Sequence, residues 1–209
     1  MGYLKEMDAL LRLRISLDEA ITYGHRRLAM RLVEDGLRLS RLGEFLGEWE
    51  YFKGQKEILK GNYFYAISHF DRAVSYNPHD GASYNDRALC MVELGLSDEA
   101  FAYFDKGIEV EPDYASVYHN KGWLLNKVGR HKEAIEYFKK TLSLEPGRAV
   151  TFENLGNSLA HLKRYRASLA AYKKAVLLLK MGSPDIKRQL VSRIRQIARK
   201  LDAKKTKSH

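Results

Sequence analysis

The residues best suited to catalysis or metal binding are few and widely spaced in this sequence. The seven histidines never show the His-x-x-x-His or Glu-linked spacing that places two metal ligands on one helical face. Cys90 is the only cysteine, which excludes a cysteine-ligated zinc site and a disulfide within the chain. Glycine-rich phosphate loops and a nucleophile elbow are also absent. The sequence therefore predicts no enzyme activity, no metal and no cofactor.

Positive charge is concentrated at the C-terminal end of the chain. The net charge is +10, yet residues 180–209 alone carry 10 basic and 2 acidic side chains, so the rest is nearly neutral. The basic patch on the predicted last helix comprises Arg188, Arg193, Arg195, Arg199 and Lys200. Such a patch suits nucleic acid or an acidic membrane surface, although no interleaved aromatic residues are present to stack on bases. The other interpretation is a solvated helix with a solubilising tail.

The elements that carry these side chains are predicted to be helices. Alanine and straight-chain residues are abundant and only 4 prolines occur, which favours helix because such side chains lose little rotamer freedom there. The alternation of β-branched residues between Asn-Gly turns that marks strands is absent. Hydrophobic residues make up 45% of the chain, which is enough to form a core. These features predict an all-α protein.

A period of 34 residues organises the middle of the chain. Prolines end successive segments at that spacing, and small and aromatic residues repeat in step with them. The columns are Pro78, Pro112 and Pro146; Ala66, Ala100, Ala134 and Ser168; Phe70, Phe104, Phe138 and Tyr172; and the glycine column, Gly54, Ala88, Gly122 and Gly156. At these columns the chain resembles the tetratricopeptide repeat family, most closely over residues 115–146, and the resemblance covers about two-thirds of the sequence.

The resemblance implies a right-handed superhelix of about four helical hairpins, with small residues where the two helices of a hairpin cross. The four units are residues 47–80, 81–114, 115–148 and 149–182. The last unit departs from the pattern, because Lys163 replaces the turn glycine, Ser168 the small alanine and Lys180 the terminal proline. We interpret this departure as the approach to the end of the array.

The N-terminal segment, residues 1–46, does not match the repeat. It is predicted to form a helical hairpin with helices over roughly 3–23 and 26–45, and a capping box at Ser16 would allow a break in the first of them. The apolar side chains of Trp49 and Phe52 must be shielded from solvent, and this hairpin could shield them as an N-terminal cap. The alternative is a dimerisation element that forms a homo-oligomer.

The C-terminal segment is predicted to cap the array with a helix over residues 183–201. Pro184 suits the first position of a helix. The apolar residues that follow recur every three or four positions and would pack on the last repeat: Ile186, Leu190, Ile194, Ile197 and Leu201. Residues 202–209 lack an apolar anchor and predict a disordered basic tail.

In this family the first helix of each unit lines a concave face, and the resemblance implies that a partner binds there. The side chains placed on that face outside the repeat signature are Asn85, Asp86, His119, Asn120, Trp123, Asn126, Lys127, Glu153, Asn154, Asn157 and His161. An amide in the column of Asn120 and Asn154 can donate to and accept from one peptide unit of an extended ligand, or it can be satisfied by water and neighbouring residues. Trp123 either anchors a partner side chain or packs between units.

The best-known specificity of the family is a carboxylate clamp, in which groove lysines and arginines bind the C-terminal acid of cytosolic heat-shock chaperones. The clamp positions hold Tyr51, Gln55, Asp86, Ser116 and Asn120 in one register, and Asn85, Leu89, Asn120, Val150 and Asn154 in the next. All three cations of the clamp are missing in both registers. The sequence therefore does not predict binding of chaperone tails.

These observations together predict a non-catalytic adaptor or scaffold that binds a peptide or helix of a partner protein in the concave groove. The alternative is a nucleic-acid-associated protein that docks through its basic C-terminal helix and tail. No secretory signal and no apolar stretch long enough to span a membrane is visible, and a lone cysteine fits a reducing compartment. We therefore expect a cytoplasmic protein.

Overall fold

The computed structural model describes residues 2–179 and 184–206, in which helices are the only regular secondary structure. The eleven helices of these residues are α1 (Gly2–Thr22), α2 (Arg26–Leu42), α3 (Leu46–Lys60), α4 (Tyr63–Tyr76), α5 (Gly81–Glu93), α6 (Ser97–Val110), α7 (Ala115–Lys127), α8 (His131–Leu144), α9 (Ala149–His161), α10 (Tyr165–Leu178) and α11 (Pro184–Thr206). The predicted all-α class is confirmed. Across residues 2–179 and 184–206, no helix combines the length and apolar character needed to cross a membrane.

The chain divides into two compact units, Met1–Pro112 and Asp113–His209, here called the N-terminal and C-terminal units. In the N-terminal unit, α1 packs on α2, α3 on α4 and α5 on α6, while α2 contacts α3 and α4 contacts α5. In the C-terminal unit, α7 packs on α8 and α9 on α10, α8 contacts α9, and α11 packs on α10. Each unit is thus a row of helical hairpins, as the period of the sequence predicts.

Small residues in the repeat allow the two helices of a hairpin to approach closely. A Cβ atom added to Gly54 would lie 2.7 Å from the ring of Phe70, and one added to Gly122 would lie 2.8 Å from the ring of Phe138. Both rings are fully buried. The glycine column of the first helix and the aromatic column of the second are therefore two sides of one contact, which explains why they share the 34-residue period.

Substitution of Ala134 by leucine tests this packing directly. Ala134 is fully buried in α8, so the larger side chain should overpack the crossing with α7 and lower the free energy of unfolding by about 1–3 kcal/mol. Lys132→Leu, at an exposed position of the same helix, is the matched control and should change stability little. Urea denaturation followed by circular dichroism gives both values. Equal stability of the two variants would show that the register of the repeat is misassigned.

The turns within the hairpins use the left-handed backbone conformation. Gly61, Gly95 and Gly129 have φ angles of 83°, 84° and 83°, which glycine adopts without a steric penalty. Lys163, at the same position of the next hairpin, has a φ of 56°. The lysine that departs from the sequence pattern therefore keeps the conformation of the glycines, and the turn is preserved at a small backbone cost.

The N-terminal helices cover the first repeat. α1 runs without interruption through Ser16, so the break considered there does not occur. α2 packs on α3 with Gly36 against the ring of Phe52, and that ring is fully buried. This contact is compatible with an N-terminal cap, and both the capping role and the use of the hairpin for dimerisation stay predictions.

The last helix is longer than predicted. α11 ends at Thr206, whereas the sequence predicted an end at residue 201 and a disordered tail after it. Residues 202–206 are Asp-Ala-Lys-Lys-Thr, and alanine and lysine extend a helix readily without any apolar contact. Leu190 and Ile197 of α11 are buried against Tyr172 and Ala175 of α10. Residues 180–183, including Lys180, and residues 207–209 lie outside the described residues.

The single cysteine lies inside the N-terminal unit. Cys90 is in α5 and is 1% exposed. Burial raises the pKa of its thiol far above the ordinary value, and the charges of nearby Asp86 and Glu93 act in the same direction. The thiol is therefore protonated and unreactive at neutral pH.

Candidate functional site

In the N-terminal unit, α1 places an arginine against the first helix of the first repeat. Nη1 of Arg14 donates to Oε1 of Glu48 at 2.8 Å, and Nη2 donates to Oδ1 of Asp80 at 2.6 Å. The guanidinium lies 3.8 Å from the centroid of the Tyr51 ring, a cation–π contact. Burial opposes the charge of Arg14, but Asp80 and Glu48 outweigh it and raise the pKa of the guanidinium.

Asp80 also caps the first helix of the second repeat. It is the N-cap of α5, where its carboxylate accepts from the backbone N–H of Ser83 at 3.3 Å and from the Ser83 hydroxyl at 2.6 Å. A single carboxylate thus fixes the first turn of α5 and holds Arg14 of α1.

Two of the predicted binding residues lie in the same region and are buried. Asn85 is 2% exposed and Asp86 is 9% exposed. Asp86 accepts a hydrogen bond from Nε2 of Gln55 and another, at 2.8 Å, from Nδ2 of Asn85. Burial, and secondly the charge of Asp18, raise the pKa of Asp86 to about 7. We call Arg14, Asp18, Glu48, Asp80 and Asp86 the Arg14 cluster.

Sequence reasoning missed Arg14, although the sequence contained a signal. Leu10 and Leu17 are fully buried, and Arg14 lies four residues after the first and three before the second. It therefore falls on the apolar face of α1, where a charged side chain requires a partner. An arginine in an apolar stripe is evidence of a buried ion pair.

In the C-terminal unit, His119 joins α7 to α9. Its Nδ1 is 2.9 Å from Oγ1 of Thr151, and its Nε2 is 3.5 Å from Nδ2 of Asn154. Burial, and secondly the charge of Arg148, lower the pKa of His119 to about 3. His119 is therefore neutral and buried, and its ring lies beside the side-chain amide of Asn154.

On the same face, the side chain of Asn157 contacts residues of both α10 and α11. Its Oδ1 accepts from the hydroxyl of Tyr172 at 2.7 Å and from Nη1 of Arg193 at 3.1 Å, and its Nδ2 is 3.5 Å from Oδ1 of Asn154. Nη1 of Arg193 also donates to Oε1 of Glu153 at 2.6 Å. The cap helix α11 thus contacts the face of α9 that the sequence predicted for partner binding.

The aromatic and amide groups of α7 complete this face. Trp123 is half-buried, and Nζ of Lys127 lies 5.1 Å from the centroid of its ring. Oδ1 of Asn126 is 2.5 Å from Nδ1 of His131, whose ring stacks on that of His161 at a centroid distance of 4.3 Å. Desolvation, and secondly the charge of His161, lower the pKa of His131.

The predicted binding residues therefore fall into two groups, one buried and one with exposed surface. Asn85, Asp86 and His119 are buried. Those with exposed surface all lie in the C-terminal unit and are Asn120, Trp123, Asn126, Lys127, Glu153, Asn154, Asn157 and His161. The structure brings the second group together on α7 and α9, and we call this group the α7–α9 face.

One residue of the predicted basic patch, Arg193, is directed away from the exposed surface of α11. Arg193 turns towards α9 and pairs with Glu153, and Arg188 pairs with Asp185 one turn away on α11. Arg195, Arg199 and Lys200 are exposed. Among the described residues, no group of three or more His, Cys, Asp or Glu side chains is arranged to hold a metal ion.

Two family models of the tetratricopeptide repeat match the sequence, one over residues 115–148 and the other over residues 60–115. No curated protein sequence matches that of the chain. The fold is similar to that of TTC0263, a thermophilic TPR protein of Thermus thermophilus, with a TM-score of 0.69 and 18% identity over 90% of this chain and 98% of that one.

Two further solved structures with a similar fold are of TPR proteins that have a peptide-binding site or a bound peptide. YrrB, a TPR protein with an unusual peptide-binding site, has a TM-score of 0.57 and 17% identity over 94% of this chain and 98% of that one. The first TPR of Spaghetti (RPAP3), bound to the HSP90 peptide SRMEEVD, has a TM-score of 0.54 and 19% identity over 56% of this chain and 94% of that one. At these identities the similarity shows the fold alone.

Proposed function

The chain belongs to the tetratricopeptide repeat family, a family of protein-interaction scaffolds, and we propose that it is a non-catalytic adaptor that binds a peptide or helix of a partner protein on the α7–α9 face. The observation that carries the proposal is the exposed part of Trp123 with the ammonium of Lys127 beside it. Tryptophan is enriched at the energetic centres of protein interfaces because it offers a large contact area at low entropic cost.

The amides around Trp123 support a peptide ligand. Asn120 and Asn154 are half-buried at equivalent positions of α7 and α9. Nδ2 of Asn154 lies 3.5 Å from Nε2 of His119, and this neighbour restricts the orientation of the amide before a ligand arrives. A side-chain amide both donates and accepts, which matches the two groups of a peptide unit. Peptide binding by YrrB and by the first TPR of RPAP3 agrees with this use of the fold.

The N-terminal unit offers less to a partner. Arg14 of α1 occupies the surface beside Tyr51, and Asn85 and Asp86 are buried. On the α7–α9 face, Trp123 keeps part of its side chain exposed, and the hydrogen bonds from α11 go to Glu153 and Asn157. We therefore place the binding site on the C-terminal unit.

The proposal is tested by replacing Asn120 and Trp123 together with alanine. We expect the double variant to lose capture of partner proteins in a quantitative pull-down, because it removes the aromatic anchor and one amide, while far-ultraviolet circular dichroism stays unchanged. Trp49→Ala is the matched control, since Trp49 is also half-buried and has Lys53 at 5.4 Å from its ring, but belongs to the N-terminal unit. Capture that survives in the double variant, or that fails equally in Trp49→Ala, would contradict this site, and the N-terminal hairpin would then be the next candidate.

A further inference from the structure

α9, α10 and α11 line a cavity of about 290 Å³ in the C-terminal unit, and the cavity is open to solvent. Its apolar wall consists of Ala160, Tyr172 and Ile197, and its polar side chains are Asn157, His161, Arg193, Gln196 and Lys200. The volume is close to the lower end of the range for ligand pockets. The cavity therefore has room for one end or one side chain of a peptide, and not for a folded surface.

Hydrogen-bond donors outnumber free acceptors in this cavity. Arg193 uses only Nη1 for its bonds to Glu153 and Asn157, and its Nε and Nη2 have no partner within the residues that the structure describes. Lys200 lies two turns along the same side of α11, and in the described part of the chain its ammonium is likewise unpaired. Oδ1 of Asn157 is already used by Tyr172 and Arg193.

We propose that this cavity binds a carboxylate of the partner peptide, with Arg193 and Lys200 as its cations and Gln196 as a further donor. The inference rests on the proposed function, because the cavity continues the α7–α9 face. Asn157 and His161 follow Trp123 and Lys127 by one 34-residue step, so they hold the same positions on the next repeat. A peptide anchored at Trp123 reaches the cavity by extending along this face.

The surroundings favour a carboxylate over a phosphate. Glu153 lies 2.6 Å from Arg193, and its negative charge opposes a doubly charged group more strongly than a singly charged one. The apolar wall suits the methylene groups of a side chain or a C-terminal residue. Both cations come from the cap helix, which lies outside the repeats and outside the positions of the family's carboxylate clamp.

The experiment selects ligands from a random-peptide phage library with the full-length chain. Selected peptides are synthesised with a fluorescein label, with a free or an amidated C-terminus, and titrated by fluorescence anisotropy. We expect the selected sequences to be enriched in Asp and Glu and the affinity to fall roughly tenfold in Lys200→Glu. Arg199→Glu introduces the same charge at the neighbouring exposed position, which does not line the cavity, and should lower the affinity by less than about threefold. Amidation distinguishes a C-terminal carboxylate from an acidic side chain.

Each result separates this inference from the proposed function. Peptides that lack acidic residues and bind equally well with an amidated C-terminus, or equal losses in Lys200→Glu and Arg199→Glu, overturn the carboxylate site. If such peptides still lose affinity in Trp123→Ala, the α7–α9 face remains the binding site; if they do not, the proposed function fails as well. A single-stranded oligonucleotide that competes with the peptides and depends on Lys200 in the same way would assign the cavity to phosphate and overturn the inference.

Discussion

Replacing Arg14 by alanine is expected to lower the free energy of unfolding of the N-terminal unit by about 3–5 kcal/mol. The guanidinium is the only cation of the Arg14 cluster and makes ion pairs of 2.8 Å and 2.6 Å with Glu48 and Asp80. Burial already raises the pKa of Glu48, and its Oε2 has no hydrogen-bond partner among the described residues. Without Arg14 these carboxyl groups remain buried and uncompensated.

The matched control is Arg12→Ala on the same helix. Arg12 pairs with Asp8 at 2.7 Å, but their side chains are 77% and 56% exposed, so the loss should stay below about 1 kcal/mol. Urea denaturation by circular dichroism gives the two stabilities, and amide hydrogen exchange shows whether α1 and α3 lose protection. Adding Glu48→Gln and Asp80→Asn to the Arg14 variant should recover part of the stability, because two of the unpaired charges disappear. Equal stabilities of the two single variants would mean that Arg14 does not hold α1 in place.

Asp86→Asn is expected to remove a pH dependence of stability. The folded pKa of Asp86 is about 7 and its ordinary value is 3.8, so between these values the folded chain keeps a proton that the unfolded chain releases. The stability from this group is therefore complete below about pH 4 and is lost as the pH rises through about 7. The loss is on the order of 4 kcal/mol, since one pKa unit corresponds to about 1.4 kcal/mol.

The comparison is made on urea midpoints of the wild type and the variant from pH 4 to pH 8. Other groups titrate in the same range, so the relevant quantity is the difference in stability between the two proteins, which should shift in favour of the variant as the pH rises. Asp98→Asn, at an exposed position of α6, is the control and should follow the wild type at every pH. A difference between wild type and Asp86→Asn that is constant with pH would show that Asp86 does not keep its proton in the folded chain.

The hairpins could be predicted from the sequence because their contacts repeat. Gly122 and Phe138 belong to columns that recur every 34 residues, so several copies of one packing rule appear in a single chain. Lys163 was recognised as a departure for the same reason, and its backbone keeps the conformation of the glycines. Repetition turned a tertiary contact into a pattern that is visible in the sequence.

The candidate site was predicted less completely because its covering residues come from outside the repeats. Asn85 and Asp86 hold positions that belong to the binding face in the family. In this chain both side chains are buried, and Asp86 lies near Arg14 and Asp18 of α1. Arg193 of α11 likewise contacts Glu153, although the sequence placed it in a basic surface patch. Neither contact has a second copy in the chain, so no period reveals it.

The burial of Cys90 makes the chain convenient for spectroscopy. A maleimide reacts with the thiolate, and this thiol is 1% exposed with a pKa raised by burial, so the native protein should remain unlabelled at neutral pH. A cysteine introduced on the surface of the α7–α9 face could then be labelled with a fluorophore or spin label, and Cys90 would not have to be replaced first. Slow labelling of Cys90 itself would measure how often the interior of α5 opens to solvent.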